Sequence, residues 1–461
     1  MRKILHSMVL AFIFCVTLTN IYGAEPYITE ADFANELNQI IQIEVTALQG
    51  SNNNLTREKA AKMIVTYLND TSLAKKEEPN LHFTDVTSSK GEIELVSQLG
   101  IMNGISESQF APNEYISVEQ AQAIINKLNT KLQTETAWKH GCYAISSSSQ
   151  MDKINEFNAI SFGWSEVKLQ DGSFALSTSG GDFSVPNGFE EPLDRATSNG
   201  VKTYLMVYFD GRGGNASALL NNAEAKSALI TQMVQSTSGI TKNGQTRGFD
   251  GITVDFEGFI SSELKISYVS FLNELKASLA LQNKEMNVAL QPSLYYKGYD
   301  YKGIGEVADH VILMAHDYGA MSLSSSEMAS GVTTTPITPI DEVYLALKEA
   351  KMQISDTNKI ALQFSFGSLQ WQKQNQTVIN SKAYTPSYDK IMARVQNPGT
   401  TVHFDKYTQS TYATYEENGI SNVIWYEDTK SIGAKMQLAK LLGINSFSYW
   451  RLGTIPSYIQ I

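Results

Sequence analysis

Ten residues near the middle of the chain, Gly248-Phe249-Asp250-Gly251-Ile252-Thr253-Val254-Asp255-Phe256-Glu257, constrain the fold more than any other stretch. Side chains alternate faces along a strand, so Thr253, Asp255 and Glu257 share one face while Ile252, Val254 and Phe256 share the other. The apolar face asks for packed helices behind it. On the polar face, closely spaced carboxylates repel and raise one another's pKa, which is costly as mere structure. The same arrangement is useful where one acid must hold a proton near neutral pH. A solvated edge strand with incidental acids is the poorer reading, because Ile, Val and Phe occupy its reverse side.

Short apolar runs recur around this strand, each followed by an amphipathic helix or a long polar loop. They run from Cys142 to Ile145, Ala159 to Phe162, Tyr204 to Tyr208, Gly251 to Phe256, Asn287 to Leu290, Val311 to Met314, Ile360 to Phe364 and Ser446 to Trp450. After the fourth run, Leu264, Tyr268, Phe271, Leu272, Leu275 and Leu279 line one face of a helix. Eight strands separated by helices fit an α/β fold of the (β/α)₈ TIM-barrel kind, although alternation alone also permits a doubly wound open sheet. In a barrel, Thr253, Asp255 and Glu257 climb the lumen toward the C-terminal rim, where active sites lie. Residues 371–428 are rich in Tyr, Asn and Gln and too long for a βα loop. They are expected to form a small α+β insertion between strands 7 and 8.

The barrel region, 138–461, follows a polar connector from Thr130 to Thr136. Before it, residues 27–132 read as a small, mostly helical domain. Ala61, Ile64, Val65 and Leu68 recur at helical spacing, as do Ala121, Ile124, Ile125 and Leu128. Ser117 and Gln120 have capping-box spacing, and Thr29 and Thr56 have the character of N-caps. Residues 1–23 carry Arg2 and Lys3, then an apolar run from Ile4 to Leu18, with small Gly23 and Ala24 after it. That is the pattern of an export signal, and the run is shorter than the ~20 residues a membrane span needs.

Removal of that segment leaves Cys142 as the only cysteine, so no intramolecular disulfide is expected; this suits a bacterial envelope. The formal charge of −11 becomes −13 once Arg2 and Lys3 are gone. That charge argues against nucleic acid as a partner, and no second long apolar run points to a membrane. Neither a His-Glu-x-x-His nor a paired-Cys zinc spacing occurs, nor a G-x-S-x-G elbow, nor a Walker A loop, so no metal or cofactor is expected.

The stretch ending at Glu257 resembles the D-G-x-D-x-D-x-E signature of glycoside hydrolase family 18, which includes chitinases and spore-lytic glucosaminidases. Met314-Ala315-His316-Asp317-Tyr318 resembles that family's M-x-Y-D word. Ile424-Trp425-Tyr426-Glu427-Asp428 and Ser448-Tyr449-Trp450-Arg451-Leu452-Gly453 resemble the segments leading to and forming its eighth strand. The resemblance covers about Lys139 to the C-terminus. It implies that Glu257 protonates the glycosidic oxygen while the sugar's own acetamido oxygen attacks the anomeric carbon. An oxazolinium intermediate and retention follow, the substrate-assisted exception to the two-carboxylate scheme. Asp255 would orient the acetamido group, Asp317 hold the distorted sugar and Trp450 stack beneath it. Asp250, Thr253, Met314, His316 and Tyr318 are carried over as substrate-binding positions. Two of these depart from the pattern. Thr253 stands where the family has its middle aspartate, and His316 where it has a tyrosine that donates to the acetamido carbonyl.

Phe83-Thr84-Asp85-Val86, Gly100-Ile101-Met102-Asn103-Gly104 and Phe110-Ala111-Pro112, in that order, resemble S-layer homology modules. In that family the segment opening like Leu55-Thr56-Arg57-Glu58 contacts secondary cell-wall polymers; Arg57 is present, but the matching places elsewhere hold Glu30 and Val118. The implied protein is a secreted hydrolase of β-1,4-linked N-acetylglucosamine glycans, either chitin or peptidoglycan, at or beyond the bacterial cell wall. The alternative is a weakly active or inactive glycan-binding, lectin-like protein attached to the wall.

Overall fold

Parallel strands close into a barrel that occupies most of the chain. The computed structural model describes residues 27–40, 47–170 and 172–459; the expected export signal at 1–23 lies outside them. The barrel strands are β1 (Trp138–Tyr143), β2 (Ala159–Gln170), β3 (Lys202–Asp210), β4 (Gly251–Glu257), β5 (Glu285–Leu290), β6 (His310–Leu313), β7 (Ile360–Ser365) and β8 (Ser446–Trp450). Each pairs with the next in parallel, and β1 pairs with β8 to complete the ring. Closure rules out the open doubly wound sheet.

All eight apolar runs overlap barrel strands, with Ala144, Ile145 and Met314 lying just beyond the strand ends. β1 begins at Trp138 rather than Cys142, because Lys139, His140 and Gly141 interrupt the apolar pattern. His140 is nevertheless fully buried, pointing into the lumen with Ser448 Oγ and Ser161 Oγ each 2.7 Å from a ring nitrogen. On β4 the alternation works as expected. Ile252, Val254 and Phe256 are fully buried, and Phe256 packs on Tyr268 and Phe271 of the following helix, with ring centroids 6.1 and 5.3 Å away. Each such side chain contributes about 2–3 kcal/mol by leaving water, so the apolar face decides which way the acids point.

The insertion lies between β7 and β8. Its five-stranded antiparallel sheet has the order 377–378, 368–374, 420–426, 410–417, 400–405, with one helix, Tyr388–Val395, against it. Its first strand starts at Ser368, just ahead of the expected boundary at 371. Two buried tryptophans tie it to the segment after β6: Trp371 Nε1 donates to Thr335 Oγ1 at 2.7 Å and Trp425 Nε1 to the Thr333 carbonyl at 2.6 Å.

Residues 30–133 form helices Glu30–Ile40, Arg57–Leu68, Thr71–Glu77, Lys90–Gln98 and Val118–Gln133 among the described residues. Ser117 and Gln120 make the reciprocal capping box, Thr56 caps through Lys59 N, and Thr29 Oγ1 accepts from Asp32 N. The three sequence words of this domain meet in space. Asp85 accepts from Phe110 N and Ala111 N at 2.9 and 2.7 Å. Arg57 donates to the carbonyls of Phe110 and Asn103 at 2.8 and 2.6 Å, with its guanidinium over the Phe110 ring. Arg57 is thus held within the domain.

Asp70, at the end of Arg57–Leu68, is buried against the insertion, where Gln409 Nε2 donates to it at 2.9 Å. Burial pushes its pKa up to about 7 against the opposing Gln409 hydrogen bond. The folded form then keeps a proton that the unfolded chain releases near pH 4, so stability falls as pH rises from about 4 to 7. Asp70→Asn keeps the acceptor for Gln409 and removes the charge. It should raise the melting temperature by a few degrees at pH 8 and change it little at pH 4; an equal gain at both would contradict a buried, titrating Asp70.

Candidate active site

The barrel lumen is polar and internally connected. Thr253 Oγ1 lies 2.6 Å from Ser161 Oγ, which lies 2.7 Å from His140 Nε2. His140 Nδ1 lies 2.7 Å from Ser448 Oγ, which accepts from Gln363 Nε2 at 3.0 Å. Gln363 Oε1 is 2.9 Å from His316 Nε2, and His316 Nδ1 is 2.9 Å from Asp317 Oδ2. Ser365 Oγ completes the run by donating to Asp317 Oδ1 at 3.1 Å. Eight side chains on β1, β2, β4, β7, β8 and the turn after β6 therefore form one run that reaches from Thr253, deep in the lumen, to Asp317 at the rim. Such a chain satisfies polar groups that would otherwise be costly to bury.

Above it opens a cleft of about 840 Å³ lined by Asp255, Glu257, Met314, His316, Asp317, Tyr318 and Trp450 from the sequence-derived set. Sequence reasoning missed other lining residues: Met206, Gln291, Tyr295, Glu342 and Gln363. Gln363 is a polar residue inside an apolar run, a signal for a lumen-facing position, whereas Met206 lies within the apolar run from Tyr204 to Tyr208 and carries no such mark. Tyr295 and Glu342 come from loop and helix starts that carry no periodic signal.

Two carried-over positions lie away from the cleft. Asp250 lies before β4, at the opposite end of the barrel from the cleft, and accepts from Thr203 N and Thr203 Oγ1 at 2.8 and 3.1 Å. It links β3 to β4 and does not line the cleft. Thr253 is fully buried beneath Asp255, engaged with Ser161, and does not line it either. His316 does face the cleft, but each of its ring nitrogens already faces Asp317 or Gln363. It is not free to take the role of a donating tyrosine without giving up one of these.

Glu257 ends β4. Its Oε2 accepts from Gln291 Nε2 at 3.2 Å, and Gln291 is oriented because its Oε1 accepts from Gly258 N at 2.7 Å and Tyr299 OH at 3.3 Å. Burial raises the Glu257 pKa; His316 and Arg212 oppose the rise without cancelling it. Arg212 is clamped by Asp210, the β3 residue in register with Glu257, at 2.7 and 2.8 Å. Asp255 is buried, and its Oδ1 has no hydrogen-bond partner among the described residues. Burial first, and the neighbouring Glu257 second, push its pKa well above the carboxylate range. Asp317 is the opposite case. Burial would raise it, but His316 and the hydrogen bonds from His316 and Ser365 outweigh that and hold it low. Its backbone is left-handed, with φ of 60°, a conformation aspartate tolerates better than most residues. Three carboxyls thus stand in one cleft with different affinities for a proton, the condition for dividing acid and anion roles. Among the described residues no group of three or more His, Cys, Asp or Glu could hold a metal ion.

Fold and cleft define a class, a (β/α)₈ barrel with buried carboxylates and a tryptophan at its C-terminal rim. The chain belongs to glycosyl hydrolases family 18, whose family model matches residues 139–454. Residues 82–121 match the S-layer homology domain. A cortical fragment-lytic enzyme of Bacillus cereus is 26% identical over 280 residues, covering 57% of this chain and 61% of that protein. The chain thus spans about three fifths of the length of the curated relatives it matches first. A chitinase from Chromobacterium violaceum ATCC 12472 superposes with TM-score 0.56 at 18% identity, over 70% of this chain and 96% of that one. The Bacillus cereus spore cortex-lytic enzyme SleL gives 0.55 at 22%, over 70% and 73%. These structural likenesses carry the fold.

The two lumen-side histidines should titrate very differently. Burial pulls His140 down to about 3, whereas for His316 the pull of burial is outweighed by Asp317, Gln363 and Glu257, so its pKa is raised. Imidazole ¹⁵N NMR across pH 4 to 9 should show His140 neutral throughout and His316 changing state above 6.5. A His140 midpoint near 6.5 would mean that water reaches the lumen.

Proposed function

We propose that this protein is an envelope-directed glycosidase that cleaves N-acetylglucosamine-containing β-1,4-glycans, with Glu257 as general acid. One observation carries the reading: the Glu257 carboxyl ends β4 beside buried Asp255 and opens into a cleft lined by Trp450. A carboxyl with raised pKa keeps its proton to higher pH than a free one and can deliver it to a leaving oxygen. Asp255 has a buried oxygen in want of a donor, which the N–H of a substrate acetamido group would supply. Fixing that N–H turns the acetamido carbonyl toward the anomeric carbon. The carbonyl oxygen then forms the new bond as the glycosidic bond breaks and Glu257 protonates the departing oxygen. Water later opens the oxazolinium with Glu257 as base, restoring the proton and retaining configuration. Asp317, held anionic by His316 and Ser365, steadies the distorted sugar over the Trp450 ring.

Both chitin and peptidoglycan contain the required acetamido sugar. Peptidoglycan is favoured by the S-layer homology match at residues 82–121 and by relatives named as cortical fragment-lytic enzymes. We assign the protein to the cell surface on the same grounds. Any contact with a secondary wall polymer would have to use groups other than the Arg57 donors spent on Asn103 and Phe110.

Glu257→Gln should lower kcat on a chromogenic chitooligosaccharide by about 10³-fold while changing its dissociation constant only a few-fold. Turnover near the wild-type rate would place the acid elsewhere, and binding without turnover by both proteins would favour a lectin. Digestion of chitin and peptidoglycan side by side separates the substrates. Because Glu257 must be protonated, kcat/KM should fall as pH rises through its raised pKa. The positive charge of His316 holds that pKa down, so His316→Asn should move the alkaline limb to higher pH while lowering the plateau. A limb that moves to lower pH would contradict the assignment.

A further inference from the structure

The helical domain meets the barrel at a three-way junction that ends in the cleft wall. Helix Ile340–Gln353 connects β6 to β7, and Pro339 and Glu342 at its start line the cleft. Glu342 Oε2 accepts from the hydroxyl of Tyr295, another lining residue, at 2.7 Å. The insertion holds the helix start, where Ile340 N donates to the Thr408 carbonyl at 2.9 Å. The same turn of the insertion grips the helical domain. Gln409 Nε2 donates to the Asn69 carbonyl at 3.0 Å and to buried Asp70 at 2.9 Å, while Asn69 Nδ2 donates to the Lys406 carbonyl at 3.0 Å.

Direct contacts run along the helix itself. Lys76 lies 3.2 Å from Asp341, and Lys348 Nζ donates to both oxygens of fully buried Glu77 at 2.7 Å. Behind this pair, Lys131 Nζ donates to the Leu441 carbonyl at 2.8 Å and Lys440 Nζ to the Leu132 carbonyl at 3.3 Å. Helices Val118–Gln133 and Thr429–Leu441 therefore cap each other's C-termini, where cations are favoured. A buried lysine–glutamate pair adds little net stability but is unforgiving of misalignment, so it fixes one docking geometry. A loosely tethered anchor would need none of these contacts, because weakly joined domains are free to move.

We propose that the helical domain is a built-in positioning element for the cleft. Its docking through Asp70–Gln409 and Glu77–Lys348 sets the first turn of helix Ile340–Gln353, and with it the wall formed by Glu342 and Tyr295. That wall would meet the glycan beyond the sugar over Trp450. The kinetic consequence rests on the glycosidase reading above; the structural consequence does not.

The test uses the full chain with two independent disruptions, Glu77→Met/Lys348→Met, which leaves no unpaired buried charge, and Gln409→Ala. Lys348→Arg, which keeps the pair, serves as the conservative control. Both disruptions should raise KM for a long chitooligosaccharide about fivefold with kcat within about twofold, a loss of uniform binding. Amide exchange across residues 336–345 should quicken about tenfold, while Lys348→Arg stays near wild type. Wild-type KM and wild-type exchange at 336–345, even with a lower melting temperature, would overturn the proposal and leave the junction a stabilising contact only. A wild-type protein inert on every glycan would sink the glycosidase reading, and the exchange measurement would still decide this one.

Discussion

Burying Asp255 and Glu257 two residues apart on one strand is the constraint to which the rest of the molecule answers. Burial raises the pKa of both carboxyls, and the neighbouring Glu257 raises that of Asp255 further, so each holds a proton more readily than a solvated carboxyl would. The barrel makes that bearable through its other face. Ile252, Val254 and Phe256 lock β4 against the helices, and their burial outweighs the cost of aiming acids inward. Gln291, steered by Gly258 N and Tyr299 OH, then gives Glu257 a neutral donor. A cation in its place would lower the Glu257 pKa further than His316 and Arg212 already do, and Arg212 is itself held by Asp210.

Much of this was legible in the sequence because it depends on period alone. The eight apolar runs found their strands, and the alternation in β4 assigned its faces correctly. What period does not convey is height along the barrel axis. Asp250 belongs to the same acidic word as Glu257, yet β4 begins only at Gly251, so Asp250 sits below the barrel on Thr203. Thr253 shares a face with Asp255 but is one layer too deep to reach the cleft. His140 hid the start of β1 because a polar residue in a strand looks like a loop until its partners are known, and those partners, Ser161 and Ser448, come from distant strands.

Contacts of high sequence separation were the least legible. Glu77 and Lys348 are 271 positions apart, and each read singly is an ordinary surface charge on an amphipathic helix. Only docking of the helical domain makes one of them fully buried and the other its necessary partner. The same applies to Tyr295 and Glu342, which no pattern groups with the acidic strand.

Thr253 and His140 make sense together. A carboxylate at position 253 would sit in the bottom of the lumen beside Ser161, one step from His140, and would need a positive charge to balance it. His140 is held neutral by its burial and cannot supply one. A hydroxyl at 253 avoids that cost, and the charge instead appears as the His316–Asp317 pair at the rim, where Asp317 meets solvent. The uncharged run of Ser161, His140, Ser448 and Gln363 is what connects the two ends. Charge in this lumen is therefore kept to its upper layers, within reach of a substrate and of water, and the lower layers hold it in position through neutral hydrogen bonds alone.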